Sequence, residues 1–190
     1  MVESFCIIYQ GSAPMQMPTI NTPHLRLRPL TAEDTSAVHA YTSDAQVMTY
    51  VPPHQMTWAQ TQAFVAAQTS DDAQALAITL ITGQLIGHII FHAWVAPRTY
   101  ELGWVMHPDY QRRGYASEAA RAVIDYAFGA LDVHRVIATC QPENVASYRV
   151  METIGMRREA HFRQCIHRGG DDWWDEYFYA ILASEWQKRL

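Results

Sequence analysis

The sequence predicts one α+β domain, with a mixed, mostly antiparallel sheet of about seven strands flanked by about four helices. Three patterns carry that expectation. Residues 74–81, 84–94 and 99–107 are apolar runs separated by Thr82-Gly83 and by Pro97, as successive antiparallel strands are, the first two joined by a short hairpin. Directly afterwards Ala116, Ala120, Val123, Ile124, Ala127 and Phe128 recur at helical spacing. No repeat, low-complexity tract or linker divides the chain, and its 190 residues suit a single substantial core.

The elements follow in order. Residues 1–22 read as an N-terminal extension broken by Gly11, Pro14 and Pro18, with the domain proper over 23–190; Met15 and Met17 are alternative starts. His24-Leu25-Arg26-Leu27-Arg28 alternates as a half-buried strand, and Pro29 ends it. Thr31 caps a helix whose first turn carries Glu33 and Asp34 and whose apolar face holds Ala37, Val38 and Tyr41. After the Pro52-Pro53 loop, Thr57 caps a second helix reaching about Gln68. The three strands and the long helix come next, and Gly129 helps end that helix. His134–Cys140 is a further strand. Asn144 caps a short helix expected to turn Ala146, Val150 and Ile154 inward, and Gly155 stops it. Two last strands, about 156–167 and 173–182, flank the turn Gly169-Gly170-Asp171-Asp172.

Bulk properties exclude several classes of function. A net charge of −5, with arginines scattered across elements, argues against a nucleic-acid partner. No apolar run approaches the roughly 20 residues of a membrane helix, and Met1–Gln10 lacks the basic start and apolar stretch of a signal peptide. Cys6, Cys140 and Cys165 are odd in number and widely spaced, which suits free thiols in a reducing cytoplasm. His88 and His92 stand four apart on a strand with no third ligand, so no metal is expected.

The chemistry concentrates around Gln111-Arg112-Arg113-Gly114-Tyr115-Ala116, a turn that opens the long helix. A helix start aims unpaired backbone N–H groups and the positive end of its dipole at one point, which is a phosphate site. Gly114 permits close approach, Ala116 keeps the helix entrance clear, and Arg112 and Arg113 stand beside it. Two solvated arginines on a plain surface turn are the competing description. In the strand before it, Glu101 is a candidate general base. It lies within the apolar stretch Tyr100–Val105, where burial raises a carboxyl pKa, and alternation sets it on one face with Gly103 and Val105. Pairing with Arg98 or exposure to water would remove that role.

The order strand, Q-x-x-G-x-A, helix, strand, N-x-x-S, helix, glycine resembles the GNAT superfamily of acyl-CoA-dependent N-acetyltransferases. The matching residues are Gln111, Gly114 and Ala116, then Asn144, Ser147, Glu152 and Gly155. The stretch His24–Leu30 with Asp34, and Gly169 followed by Trp173-Trp174-Asp175, resemble the branch containing ribosomal-protein N-terminal acetyltransferases. The likeness spans about residues 22–185 and implies acetyl-CoA as cosubstrate. On that resemblance Arg112, Arg113, Gly114, Tyr115, Ala116 and Ser117 surround its pyrophosphate. Trp104, Val105 and Met106 offer main-chain groups to its pantetheine arm, with an N–H at or near Val105 facing the reacting carbonyl. Asn144 and Ser147 position the thioester, the sulfur or a water, and Arg149 reaches a phosphate. A tyrosine that many members carry seven residues after the asparagine is here Met151. Asn144 as a plain N-cap, Ser147 as a packing residue and Arg149 as a solvated side chain are the competing descriptions.

The implied reaction is acetyl transfer to an amine acceptor, either a protein N-terminus or a small molecule, by direct attack in a ternary complex. A non-catalytic acyl-CoA-binding or sensing module is the alternative, permitted by Met151. The C-terminal strand and its aromatic residues are a candidate homodimer interface.

Overall fold

The described residues hold eight strands in one sheet, ordered β1-β2-β3-β4-β5-β6-β8-β7, and apolar runs and turn residues mark all but the first. The structure, a computed structural model, describes residues 18–52 and 54–186. The expectations for Met1–Gln10, Cys6, Met15 and Met17 lie outside the described residues. Strands β1 (Ile20–Asn21), β2 (Leu25–Pro29), β3 (Ala75–Leu80), β4 (Leu85–Ala93) and β5 (Thr99–Met106) form an antiparallel series. Strand β6 (Arg135–Cys140) is parallel to β5, and β8 (Asp172–Leu182) lies antiparallel between β6 and β7 (Arg157–Gly169). A parallel pair needs a long crossover. Here it is α3 (Tyr115–Ala130).

The eighth strand is β1. Ile20 and Asn21 pair with Leu27 and Arg26, which brings the end of the expected extension into the sheet. Two residues bounded by prolines carry no alternation, so this strand has no local signature. The other strands lie within a residue or two of expectation.

Helices cover both faces. On one, α3 buries Ala119, Ala120, Val123, Ile124 and Ala127 against the sheet and packs beside α4 (Val145–Thr153). The short α5 (Ala183–Trp186) adds Trp186 to the same core. On the other face, α1 (Thr35–Thr42) and α2 (Trp58–Ala67) enclose a smaller core of Val38, Tyr41, Met48, Val65 and Val105. Each fully buried Leu, Ile or Val side chain contributes about 1.5–3 kcal/mol, so the larger core dominates stability. Local signals set the helix starts. Thr57 and Gln60 form a reciprocal capping box on α2, and Thr31 with Asp34 forms one on the 3-10 turn Ala32–Asp34 that leads into α1.

Two helix expectations need correction. Gly129 does not end α3; the helix continues to Ala130 and closes through the Leu131 N–H on the Ala127 carbonyl. In α4 the inward residues are Met151 and Ile154, while Ala146 is exposed and Val150 only half-buried. Apolar character at positions 146 and 150 pointed to the wrong phase, which the cap at Asn144 and the contact with α3 set instead. Among the described residues, no helix is long and apolar enough to cross a membrane.

Candidate active site

Strands β5 and β6 pair only at Thr99↔Arg135, Tyr100↔Val136 and Glu101↔Ile137. Beyond Glu101 they part, although β5 stays paired with β4 as far as Met106 and β6 stays paired with β8 as far as Cys140. The result is a V-shaped opening inside a continuous sheet, with Glu101 at its apex. An open strand edge exposes main-chain groups that require a partner.

Which groups point into the opening follows from the hydrogen-bond alternation. The N–H of Trp94 donates to the Thr99 carbonyl at 2.8 Å, and the His107 N–H donates to the Ile86 carbonyl at 2.8 Å. Odd-numbered residues of β5 therefore direct their main chain to β4. Even-numbered ones face β6, as the bond from the His134 N–H to the Arg98 carbonyl at 2.8 Å also requires. Trp104 and Met106 thus offer main-chain groups to the cleft. Val105 does not; its main chain belongs to the β4 ladder and its side chain packs in the smaller core. The expectation for Val105 is corrected accordingly.

At the mouth of the V, the turn after β5 takes Arg112 to φ 60 and Gly114 to φ 83. Glycine adopts that conformation without the strain a Cβ brings. The first helical bond of α3 is from the Glu118 N–H to the Gly114 carbonyl at 3.0 Å, so the N–H groups of Tyr115, Ala116 and Ser117 precede any intrahelical acceptor. Gln111 ties the turn to the strand, its Nε2 donating to the Met106 carbonyl at 3.2 Å. Arg112 and Arg113 are exposed, and Arg113 lies over the Tyr110 ring at 5.4 Å. Glu118 is a residue the sequence reading passed over. It accepts from the Thr22 hydroxyl at 2.5 Å and the His24 N–H at 2.9 Å, fastening the start of α3 to the β1–β2 connection. Burial opposes its ionisation, but these donors outweigh it and hold its pKa low.

At the apex, Glu101 stands directly across from His92 on β4, whose Nε2 lies 3.7 Å from its Oε2. The Thr139 hydroxyl on β6 donates to Oε1 at 3.5 Å. Burial raises the Glu101 pKa; His92 and Thr139 offset part of that rise. Arg98 does not reach Glu101, because it binds Asp132, with Nη2 2.5 Å from the carboxylate and Nε 2.7 Å from the carbonyl. Glu176 on β8 completes the polar group. Burial and, to a smaller degree, the nearby Glu101 raise its pKa, and the Thr139 hydroxyl offsets part of that rise. His92, Thr139 and Glu176 carry no local signal in the sequence. Only the register of β4, β6 and β8 brings them to Glu101.

The α4 side is more conservative. Asn144 caps the helix, its Oδ1 accepting from the Ser147 N–H at 3.2 Å. Burial pushes the Cys140 thiol up to about 12, against the smaller opposing influence of Ser147, and makes it unsuitable as a nucleophile. Met151 is buried in the larger core and Arg149 is exposed on the helix surface. Tyr148 meets the Tyr177 ring edge-on at 5.9 Å. His88 is a buried partner of the Tyr41 hydroxyl at 2.7 Å, and among the described residues no group of three or more His, Cys, Asp or Glu is arranged for a metal ion.

Comparison with known proteins agrees with this geometry. The acetyltransferase (GNAT) domain family matches residues 24–157. The uncharacterized N-acetyltransferase YnaD of Bacillus subtilis is 49% identical over 168 residues, covering 88% of this chain and 98% of its own. A GNAT-family acetyltransferase structure from Bacillus anthracis superposes with a TM-score of 0.84 at 48% identity, over 88% of this chain and 100% of that one. RimJ of Mycobacterium smegmatis, solved with CoA-disulfide, gives 0.75 at 23% identity over 90% and 89%, a likeness of fold alone. The fold, the open strand edge and these matches together place the chain in the GNAT family of acetyltransferases.

Proposed function

We propose that the chain transfers the acetyl group of acetyl-CoA to a primary amine by direct attack in a ternary complex, with Glu101 as general base. The observation that carries this reading is the position of Glu101 at the last β5–β6 pair, where the sheet opens.

The residues present fit acetyl-CoA. The open edge at Trp104 and Met106 suits the amide-bearing pantetheine arm, completing the strand as a peptide would. The N–H groups at the start of α3, with Arg112 and Arg113 alongside, suit the pyrophosphate. Arg149 is available for a further phosphate, and Asn144 and Ser147 border the cleft from α4. Acetyl-CoA supplies the activated carbonyl, and Glu101 takes the proton the amine loses on attack. An N–H of the even-numbered β5 residues is the donor for the carbonyl oxygen. Cys140 takes no covalent part, and no dedicated acid is required because a coenzyme-A thiolate accepts a proton from water.

The resemblance of His24–Leu30 to the ribosomal-protein branch supports a protein N-terminus as acceptor. Trp94, which packs on Phe178 at 5.5 Å beyond Glu101, supports an amine on an apolar stem just as well. Thiol release and product mass spectrometry with acetyl-CoA and a panel of amines and N-terminal peptides decide between them. Glu101→Gln is expected to lower kcat about 100-fold or more with little change in acetyl-CoA affinity. Acetyl-CoA binding without turnover on any acceptor would instead establish the sensing module that the buried Met151 permits.

A further inference from the structure

The turn that opens α3 is held at both ends by polar side chains. At one end Gln111 donates to the Met106 carbonyl of β5 at 3.2 Å. At the other, the Glu118 N–H closes the first helical bond on the Gly114 carbonyl, while its carboxylate reaches out of the helix. The groups it meets lie in the short connection between β1 and β2, where the expected N-terminal extension ends.

Both carboxylate oxygens find partners there. Oε1 accepts from the Thr22 hydroxyl at 2.5 Å and from the His24 N–H at 2.9 Å, and the His24 Nδ1 lies 3.0 Å from Oε2. A threonine hydroxyl has one proton to give. The shorter contact takes it to Glu118 rather than to the Leu25 carbonyl at 3.2 Å, and leaves Thr22 Oγ1 to accept from the Leu25 N–H at 3.0 Å. The bonds therefore run from the Leu25 main chain through Thr22 into Glu118. Leu25 is the first residue of β2 and is fully buried, so the clasp is anchored in the larger core. An ionised acceptor makes these bonds stronger than neutral ones.

Electrostatics alone gives a donor site no reason to keep this group. A carboxylate in the first turn suits the helix dipole, but it stands at the end of α3 that would receive an anion, and like charges repel.

We infer that Glu118 is a positioning residue for the acetyl donor: by tying the first turn of α3 to Thr22 and His24, it fixes the direction of the free N–H groups of Tyr115, Ala116 and Ser117. This rests on the reading of that turn as the pyrophosphate site. Linkage follows from it. An anion that orders the first turn also steadies the β1–β2 connection, and the connection favours the anion by the same factor.

Two substitutions separate the tether from the charge. Glu118→Gln keeps the length of the side chain and an acceptor for Thr22 and the His24 N–H, and the His24 Nδ1 can accept from the new amide. Glu118→Ala removes tether and charge together. It is expected to raise the acetyl-CoA KM about fivefold or more with the amine KM unchanged, although a repelling charge is gone, and Glu118→Gln is expected to keep most of the affinity. Thr22→Val is expected to follow Glu118→Ala, and Thr22→Ser the unmodified protein. A lower acetyl-CoA KM in Glu118→Ala would show that only the charge matters and overturn the assignment. Unchanged KM values with a lower urea midpoint would reduce the clasp to a contact of the fold.

Hydrogen exchange with CoA, without any acceptor, tests the linkage. In the unmodified full-length protein CoA is expected to protect residues 20–27 together with the turn at 111–118, and in Glu118→Ala the turn alone. Protection of the turn without residues 20–27 in the unmodified protein would refute the clasp and leave the donor site standing. No protection of the turn would refute the donor site, and the role of Glu118 with it.

Discussion

The two faces of the sheet are built on different principles. The face under α3 and α4 is an almost wholly apolar core from Leu25 and Leu27 through Ile124 to Ile181, and it anchors α3, whose first turn is the proposed phosphate site. The face under α1 and α2 has a smaller apolar core and buries several polar groups. The Thr42 and Thr61 hydroxyls meet at 3.0 Å between the two helices, and His88 meets Tyr41 beneath them. Glu101 lies on this second face with His92 across from it on β4. In the proposed reaction the donor binds through main-chain groups beside the apolar face, and the chemistry falls on the face that accepts buried polarity and with it a dependence on pH.

The sharpest test of this contrast is a pair of truncations. Ile124→Ala on the apolar face leaves a cavity that β-strands on one side and α3 on the other cannot close, and is expected to cost about 2–5 kcal/mol. The loss, read by urea unfolding, is expected to be the same at pH 5 and pH 7.5. A strongly pH-dependent loss would show that the apolar face is coupled to the titrating one.

On the polar face the corresponding device is His88. Burial lowers its pKa from 6.5 to about 4. The unfolded chain therefore binds a proton that the folded protein refuses, and stability falls as the pH drops. The contribution is fully present above pH 6.5 and is lost progressively down to about pH 4, amounting to about 3 kcal/mol. His88→Gln keeps a polar partner for Tyr41 but cannot titrate, so its unfolding midpoint is expected to flatten across that window. A decline parallel to that of the unmodified protein would assign the acid sensitivity to other groups.

Much of this architecture is legible in sequence because its determinants are local. The hairpin at Thr82-Gly83, the helical face of α3, the Thr57 and Asn144 caps and the Gly114 turn each depend on neighbours along the chain. Free main-chain groups on β5 were expected only through the family resemblance, since nothing in residues 99–107 states where pairing with β6 stops. The polar group around Glu101 escaped altogether. His92 reads as one of nine histidines and Thr139 as an ordinary strand residue. Glu176 sits 75 positions from Glu101, and only the order β5-β6-β8 brings it close. The phase of α4 was misread because two apolar residues suggested a face that packing against α3 does not use.

A smaller effect is expected at the donor turn. A Cβ at Gly114 would meet no atom within 4 Å, so Gly114→Ala is a pure test of its positive φ. The strain is about 1–2 kcal/mol. Relief by a shift of the backbone would misdirect the N–H groups at the start of α3. The KM for acetyl-CoA is expected to rise severalfold, with the KM for amine unchanged. A change in the amine constant alone would move this turn to the acceptor side.

The least costly substitution is the one that best separates the faces by function. Phe162 on β7 is 47% exposed and touches Phe178 edge-on at 6.3 Å, so Phe162→Ala removes little buried area and is expected to change stability by no more than about 0.5 kcal/mol. Its neighbour across the ladder is Glu176, which places it beside the polar group around Glu101 rather than beside the turn before α3. If the acceptor passes over β7 and β8, this substitution raises the amine KM and leaves both acetyl-CoA affinity and the unfolding midpoint in place. A rise in acetyl-CoA KM instead would mean that the two substrates share this edge. The division between a main-chain donor site and a side-chain acceptor site would then fail where it is most easily measured.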